Sequence, residues 1–223
     1  MTLYLSRLRI ASNPSARALR SMIDPADDNA RIDAHHKLLW SVFSDGPDRR
    51  RDFLWREMRQ GEFLTLSDRE PVANDLFDLV EPRTFAPDLA PGDRLSFSLK
   101  VNATRAKSSR QRVDVVMDAL CSVPKEMRAE RRMPLAQEAG EAWLRARAEA
   151  GGFNVLNVDV EDYTTTALPD HRGPRKGRPQ FGILSMTGGL EVKDPAVFID
   201  ALARGFGRAK AFGCGLMLIR RAA

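Results

Sequence analysis

Cysteine is scarce: Cys121 and Cys214 are the only two in 223 residues. Two thiols cannot build a disulfide framework or a four-thiolate zinc site, so a reduced, intracellular protein is expected. No apolar run reaches the roughly 18 residues that a membrane span requires. The opening Met-Thr-Leu-Tyr-Leu-Ser-Arg-Leu-Arg lacks the basic-then-apolar order of a signal peptide. A cytoplasmic location with no membrane partner follows as the expectation. Histidine is rarer than charge or apolar residues, with His35, His36 and His171 making up the total of three. With two distant cysteines and no matching carboxylate spacing, these form no recognisable metal-ligand set. No nucleophile elbow supports Ser-His-Asp chemistry, and no Gly-Lys-Ser/Thr sequence ends a P-loop. Neither a metal nor a cofactor is expected.

What remains is an ordinary globule, 43% apolar and 29% charged, long enough for one large domain or two of roughly 100 residues each. The net charge of +5 is mild, but it is unevenly spread. Arg105, Lys107, Arg110 and Arg112 fall in a stretch without an acid. A second block holds Arg172, Arg175, Lys176 and Arg178 among glycines and prolines, and a third holds Arg128, Arg131 and Arg132. Each block alone reads equally well as a solvated surface. Together with Arg220-Arg221 they point to a phosphate-rich partner, nucleic acid.

The second half of the chain is patterned most clearly. Leu95, Phe97, Leu99 and Val101 alternate with Arg94, Ser96, Ser98 and Lys100, the period of a half-buried strand. A basic loop follows, then a short returning strand over Val113–Met117. Pro134 is expected to open a helix that ends at Gly151-Gly152. Phe153–Val160 and Phe181–Val192 read as strands. Asp194-Pro195 caps a helix burying Phe198, Ala201, Leu202 and Phe206, and Cys214–Ile219 closes as a strand. Apart from the small hairpin, the order is β-α-β-β-α-β, the ferredoxin-like motif. The first half can be laid out alike: strand Leu3–Ile10, helix Ala30–Phe43 behind the capping candidates Asp27, Asp28 and Asn29, a strand pair Phe53–Met58 and Glu62–Leu66, and a short helix near Asn74–Leu79. Glu81-Pro82 to Pro91-Gly92 is the expected linker. The expected fold is therefore α+β, two tandem ferredoxin-like (RRM-like) domains, at 1–90 and 91–223.

Two constellations carry chemistry. Between Gly205 and Leu216, glycines 205, 207, 213 and 215 surround Arg208 and Lys210 after a helix and before a strand. They either let backbone N–H groups approach a phosphate or serve as a helix C-cap and turn residues. On the first helix, His36 shares a face with Ile32, Trp40 and Phe43, with Asp33 one turn back; its neighbour His35 points about 100° away. A lone helix histidine is either packed or catalytic, and the helix alone does not decide.

The Gly205–Leu216 stretch, with Gly189-Leu190-Glu191-Val192 and Asp194-Pro195 upstream, resembles the C-terminal glycine-rich signature of the RAMP superfamily. Tyr4-Leu5-Ser6-Arg7-Leu8, His36-Lys37-Leu38-Leu39-Trp40, Asp52-Phe53-Leu54-Trp55-Arg56, Pro91-Gly92-Asp93 to Leu99, Asn102 and Ala142-Trp143-Leu144 match in order along the chain. Together they are similar to the CasE family, the CRISPR-RNA-processing endoribonucleases of type I-E CRISPR systems.

The resemblance implies two ferredoxin-like domains and metal-independent cleavage at the 3′ base of the CRISPR repeat hairpin. The ribose 2′-hydroxyl attacks its own phosphodiester, leaving a cyclic phosphate and a 5′-hydroxyl. It implies that the product, the mature crRNA, stays bound within the multisubunit type I-E surveillance complex, and it places the catalytic histidine at His36. Some members carry a tyrosine three residues earlier, where this chain has Asp33. That carboxylate either favours the charged form of His36 or pairs with Lys37, itself a candidate phosphate contact. Arg105, Lys107, Arg110 and Arg112, with Arg128, Arg131 and Arg132, are the expected groove or backbone contacts. Arg172, Arg175, Lys176 and Arg178, with Arg208 and Lys210 on the Gly205, Gly207, Gly213 and Gly215 loop, are expected to hold phosphates. The competing readings are a hairpin-binding protein without useful catalysis, motivated by Asp33, and a metal-dependent nuclease.

Overall fold

In a computed structural model describing residues 2–44, 46, 49–107, 111–167 and 180–222, the N-terminal alternation forms strand β1 (Tyr4–Ile10), with Leu8 and Ile10 buried and Arg7 and Arg9 exposed. Two short helices, α1 (Pro14–Ala18) and α2 (Arg20–Ile23), precede α3 (Asp28–Phe43). Helix α3 begins two residues earlier than the sequence suggests, because Asp27 is the cap: its carboxylate accepts from the Ala30 N–H at 2.8 Å. Strands β2 (Phe53–Arg59) and β3 (Glu62–Ser67) turn at Gln60-Gly61 as expected.

The expected helix near Asn74–Leu79 is absent. The chain turns at Asp75-Leu76 and enters strand β4 (Phe77–Thr84), which pairs antiparallel with β1 from Ile10–Phe77 to Tyr4–Thr84. Two tertiary contacts override local propensity here. The Val72 N–H donates to Val42 O, and the Asn74 amide donates to Ser41 O and Oγ, strapping this crossover to the end of α3. Pro82, which has no N–H to give, falls where the β1–β4 register slips on an edge strand. The linker is correspondingly shorter than Glu81–Gly92, since β4 continues to Thr84.

The first sheet has the order β2-β3-β1-β4, the ferredoxin-like arrangement with its second crossover left without a helix. Its core joins Leu8, Leu39, Phe43, Phe53, Trp55 and Phe63, with Phe43 and Phe53 stacked at 4.3 Å between centroids. Contacts divide the chain into two units. One holds the described residues up to Pro87, with Ala167 and the distant segment Lys210–Gly213. The other holds those of Asp88–Thr166, Gln180–Ala209 and the chain from Cys214 onward.

In the second unit, β5 (Arg94–Val101) keeps the predicted alternation of buried and less buried residues. The small hairpin around the basic loop forms from β6 (Thr104–Ala106) and β7 (Arg112–Asp114). The strand expected over Val113–Met117 stops at Asp114, whose carboxylate accepts from the Val116 and Met117 N–H groups and so starts helix α4 (Val115–Leu120). Helix α5 runs Arg128–Ala148, so Pro134 lies inside it rather than at its start. β8 (Phe153–Ala167) outlasts its expected end, β9 is Gln180–Val192, and α6 (Pro195–Arg204) is capped by Asp194 accepting from Val197 N–H at 3.1 Å. The last strand, β10 (Met217–Arg221), begins three residues later than expected. The order β10-β5-β9-β8 is again ferredoxin-like. The chain is α+β with two tandem ferredoxin-like domains.

Candidate active site and nucleic-acid interface

Helix α3 sorts its two histidines by face. His35 is fully buried, its ring edge-on to Phe63 at 4.8 Å and its Nε2 3.2 Å from Asp24 Oδ1. Asp24 also accepts from Arg20 at 2.6 Å and from Gln60 at 3.3 Å. Burial pushes the His35 pKa below the ordinary histidine value, against the pull of Glu57 and Asp24. Such a ring is a core group out of reach of a large substrate.

His36, turned about 100° from His35 on the helix, is half-buried within a group of named contacts. Trp40, one turn on, donates its indole N–H to His36 Nε2 at 3.1 Å. Phe212, from the 3-10 turn Lys210–Phe212, meets the imidazole edge-on at 5.4 Å. Asp33 is ion-paired with Lys37 at 2.6 Å, so of the two roles open to this carboxylate the geometry realises pairing. Asp33 still favours protonation of His36, but the net direction is the reverse. Burial, then the Arg51 charge, push the His36 pKa below the ordinary value; Asp33 opposes this and Lys37 adds to it.

Arg51 and Trp40 are the residues that motif reading missed. Trp40 shares a helical face with His36, which made contact foreseeable but not the hydrogen bond. Arg51 belongs to Arg49-Arg50-Arg51 beside the matching Asp52-Phe53-Leu54-Trp55-Arg56, the one signal that marked it. It lines a depression of about 430 Å³ with Arg49, Arg50, Asp52, Asp68 and Arg69. There Asp52 is held by Arg49 at 3.0 Å and by Arg69 at 2.8 Å. Arg51 is half-buried, and its Nη1 has no hydrogen-bond partner among the described residues. Desolvation pulls its pKa down. A buried guanidinium donor without an acceptor is costly, and a phosphate oxygen is a fitting acceptor.

The segment carrying Phe212 is tied into the first unit by Trp55, whose indole N–H donates to Ala211 O at 3.1 Å. Gly213, at φ +77°, lies flat on the same indole; a Cβ there would sit 3.2 Å from the ring. The other glycines serve the backbone. Gly205 ends α6 with its N–H bonded to Ala201 O and Leu202 O, and the Gly215 N–H donates to Lys100 O. The Arg208 N–H donates to Asn102 O, an approach that leaves a Gly207 Cβ only 2.7 Å from the same oxygen. Of the two readings of this loop, the structure favours caps and turns: the N–H groups of residues 205, 208 and 215 are already bonded within the chain.

The basic residues are more engaged than the sequence suggests. Arg105 and Lys107, free of acids in sequence, both pair with Asp118 on α4 while staying largely exposed. Arg128 donates to Val123 O. Arg132 donates to Tyr163 O and lies over the Tyr163 ring at 4.9 Å, so both side chains hold the fold. Arg112, Arg131 and Arg208 are exposed, and Lys210 is half-buried. Trp143 donates to Thr104 O at 3.0 Å beneath the stacked Arg147, fastening the base of the β6–β7 hairpin. Arg110, His171 and the block of Arg172, Arg175, Lys176 and Arg178 lie outside the described residues. Among the described residues no three imidazole, thiol or carboxylate groups gather as metal ligands. No helix there is long and apolar enough to cross a membrane.

A family model described as CRISPR associated protein matches residues 3–221. The chain belongs to this CRISPR-associated family. It is 29% identical to the CRISPR-associated endoribonuclease Cse3 of Thermus thermophilus, over 95% of this chain and 97% of that one. Against the CRISPR system Cascade subunit CasE of Escherichia coli it is 26% identical, covering 82% and 88%. A solved structure of CRISPR endoribonuclease Cse3 bound to 19 nt RNA superposes with a TM-score of 0.69 at 25% identity, over 99% of this chain and 100% of that one.

Proposed function

We propose that this CRISPR-associated chain is an endoribonuclease that cleaves CRISPR precursor RNA at the 3′ base of the repeat hairpin, without a metal, and keeps the hairpin as a subunit of the type I-E surveillance complex. The observation carrying this reading is the charge coupling of His36, a half-exposed imidazole, to Arg51, a guanidinium whose buried Nη1 has no hydrogen-bond partner among the described residues. The similarity to an endoribonuclease and to a Cascade subunit supports it. Membership of a complex that works on CRISPR precursor RNA supports a cytoplasmic location.

The chemistry needs three services. A proton leaves the 2′-hydroxyl as its oxygen bonds to phosphorus, another reaches the departing 5′-oxygen, and charge on the phosphorane is neutralised. His36 performs one of the two proton transfers. Arg51 supplies a planar, permanently charged donor for the phosphorane oxygens, with Lys37 at the helix edge. Arg105, Lys107, Arg112, Arg131, Arg208 and Lys210 hold the hairpin backbone.

Asp118 competes with RNA for Arg105 and Lys107. Asp118→Asn is therefore expected to tighten hairpin binding by roughly two- to fivefold, measured by filter binding at fixed salt. An unchanged or weaker affinity would remove those two side chains from the interface.

Cleavage of repeat RNA by the purified protein is expected at the same rate in EDTA as in magnesium, leaving a 2′,3′-cyclic phosphate end. Loss in EDTA with rescue by magnesium would mark a metal-dependent nuclease instead. Binding without cleavage in either condition would mark a hairpin-binding subunit.

A further inference from the structure

The bond from Trp40 to His36 constrains what the imidazole can do. With Nε2 accepting the indole N–H, a neutral ring must carry its proton on Nδ1. To act as a general acid, His36 must first become imidazolium, which places a second proton on Nε2, facing the Trp40 donor. To act as a general base, it must offer a lone pair. The one on Nε2 is engaged by Trp40, and freeing the one on Nδ1 again moves a proton to Nε2. Either role requires the Trp40 contact to open.

We propose that Trp40 is a positioning residue that locks His36 in the neutral, Nδ1-protonated form, and that seating of the RNA phosphate at Arg51 opens the lock. The inference rests on His36 being the proton-transfer group. Two cations act on the ring against one carboxylate. Arg51, before β2, and Lys37, on α3, disfavour the imidazolium, and Asp33 is the opposing charge, itself shared with Lys37. The third element against the ring, the turn bearing Phe212, brings Lys210 as its charged residue. A phosphodiester paired with Arg51 cancels the largest of these charges and favours protonation. Trp40 itself is braced edge-on against Phe53 at 5.3 Å, so its N–H is held in place rather than free to follow the ring. The lock keeps the free enzyme proton-inert and restricts the reactive ring to the complex with RNA.

The test is histidine NMR on the full chain with ¹⁵N- and ¹³C-labelled imidazoles, with and without a repeat RNA carrying a 2′-deoxy nucleotide at the cut site. In the free protein the neutral His36 is expected as the Nδ1–H tautomer; the RNA should abolish that signature and raise its pKa. Trp40→Phe, which keeps an aromatic ring and removes the N–H, should raise the free-protein pKa by about half to one unit. The His36 limb of the kcat/KM profile should shift equally. A merely structural Trp40 would lower stability and leave both unmoved. An Nε2–H tautomer in the unsubstituted protein overturns the lock even if Trp40→Phe does not fold. So does a folded Trp40→Phe with an unchanged pKa. Neither result touches the assignment of His36, which fails only if His36→Ala cleaves normally.

Discussion

His36→Ala is expected to lower single-turnover cleavage of repeat RNA by at least two to four orders of magnitude, roughly the contribution of a positioned proton-transfer group. Hairpin affinity should stay nearly unchanged. The asymmetry follows from geometry: His36 contacts Trp40 and Phe212 on one helix face, whereas the proposed RNA grip uses many separate cations. Its removal deletes a chemical step and little binding area. Normal cleavage by the variant would remove the imidazole from the mechanism. Strong loss of binding would make it an RNA contact instead.

Trp55→Ala is expected to destabilise the first unit by about 3–5 kcal/mol, a large part of a typical domain's stability, read as a lower denaturant midpoint. Trp55 is 2% exposed among Phe63, His35 and the core, and it also anchors Ala211 and seats Gly213. Trp55→Phe keeps most of the packing and drops the indole donor, so about 1 kcal/mol of its loss reports the tether alone. With the tether gone, Phe212 loses its place against His36, and cleavage should fall further than the stability change explains. An unshifted midpoint for Trp55→Ala would mean that Lys210–Gly213 is not built into this unit.

Elements written in local pattern were legible in the sequence. The alternation of Arg94–Val101 and the Asp194-Pro195 cap needed no tertiary information, and the second half's β-α-β-β-α-β element order was readable from such patterns. Other elements failed where a distant partner decides. Asn74–Leu79 carries no strong preference; pairing of Phe77 with Ile10 and the strap to Ser41 and Val42 make it a turn and a strand. Pro134 signals a helix start, yet α5 begins at Arg128 and runs through it, at the loss of one internal hydrogen bond. Charge failed in the same way: Arg105 and Lys107 look unopposed until the fold brings Asp118 beneath them. At the candidate site the histidine was legible through family likeness. Arg51 was not, because its significance is an unfilled donor, a property of packing that no spacing encodes.

The central claim is that the RNA cuts itself through its own 2′-hydroxyl while the protein moves the protons. The most direct measurement uses repeat RNA with one 2′-deoxy nucleotide at the cut site, in EDTA, beside the all-ribose strand. Tight binding of both and scission of the ribose strand alone is the predicted result. Scission of the deoxy strand at a comparable rate would show that water or another nucleophile attacks, and the account built on His36 and Arg51 would be wrong.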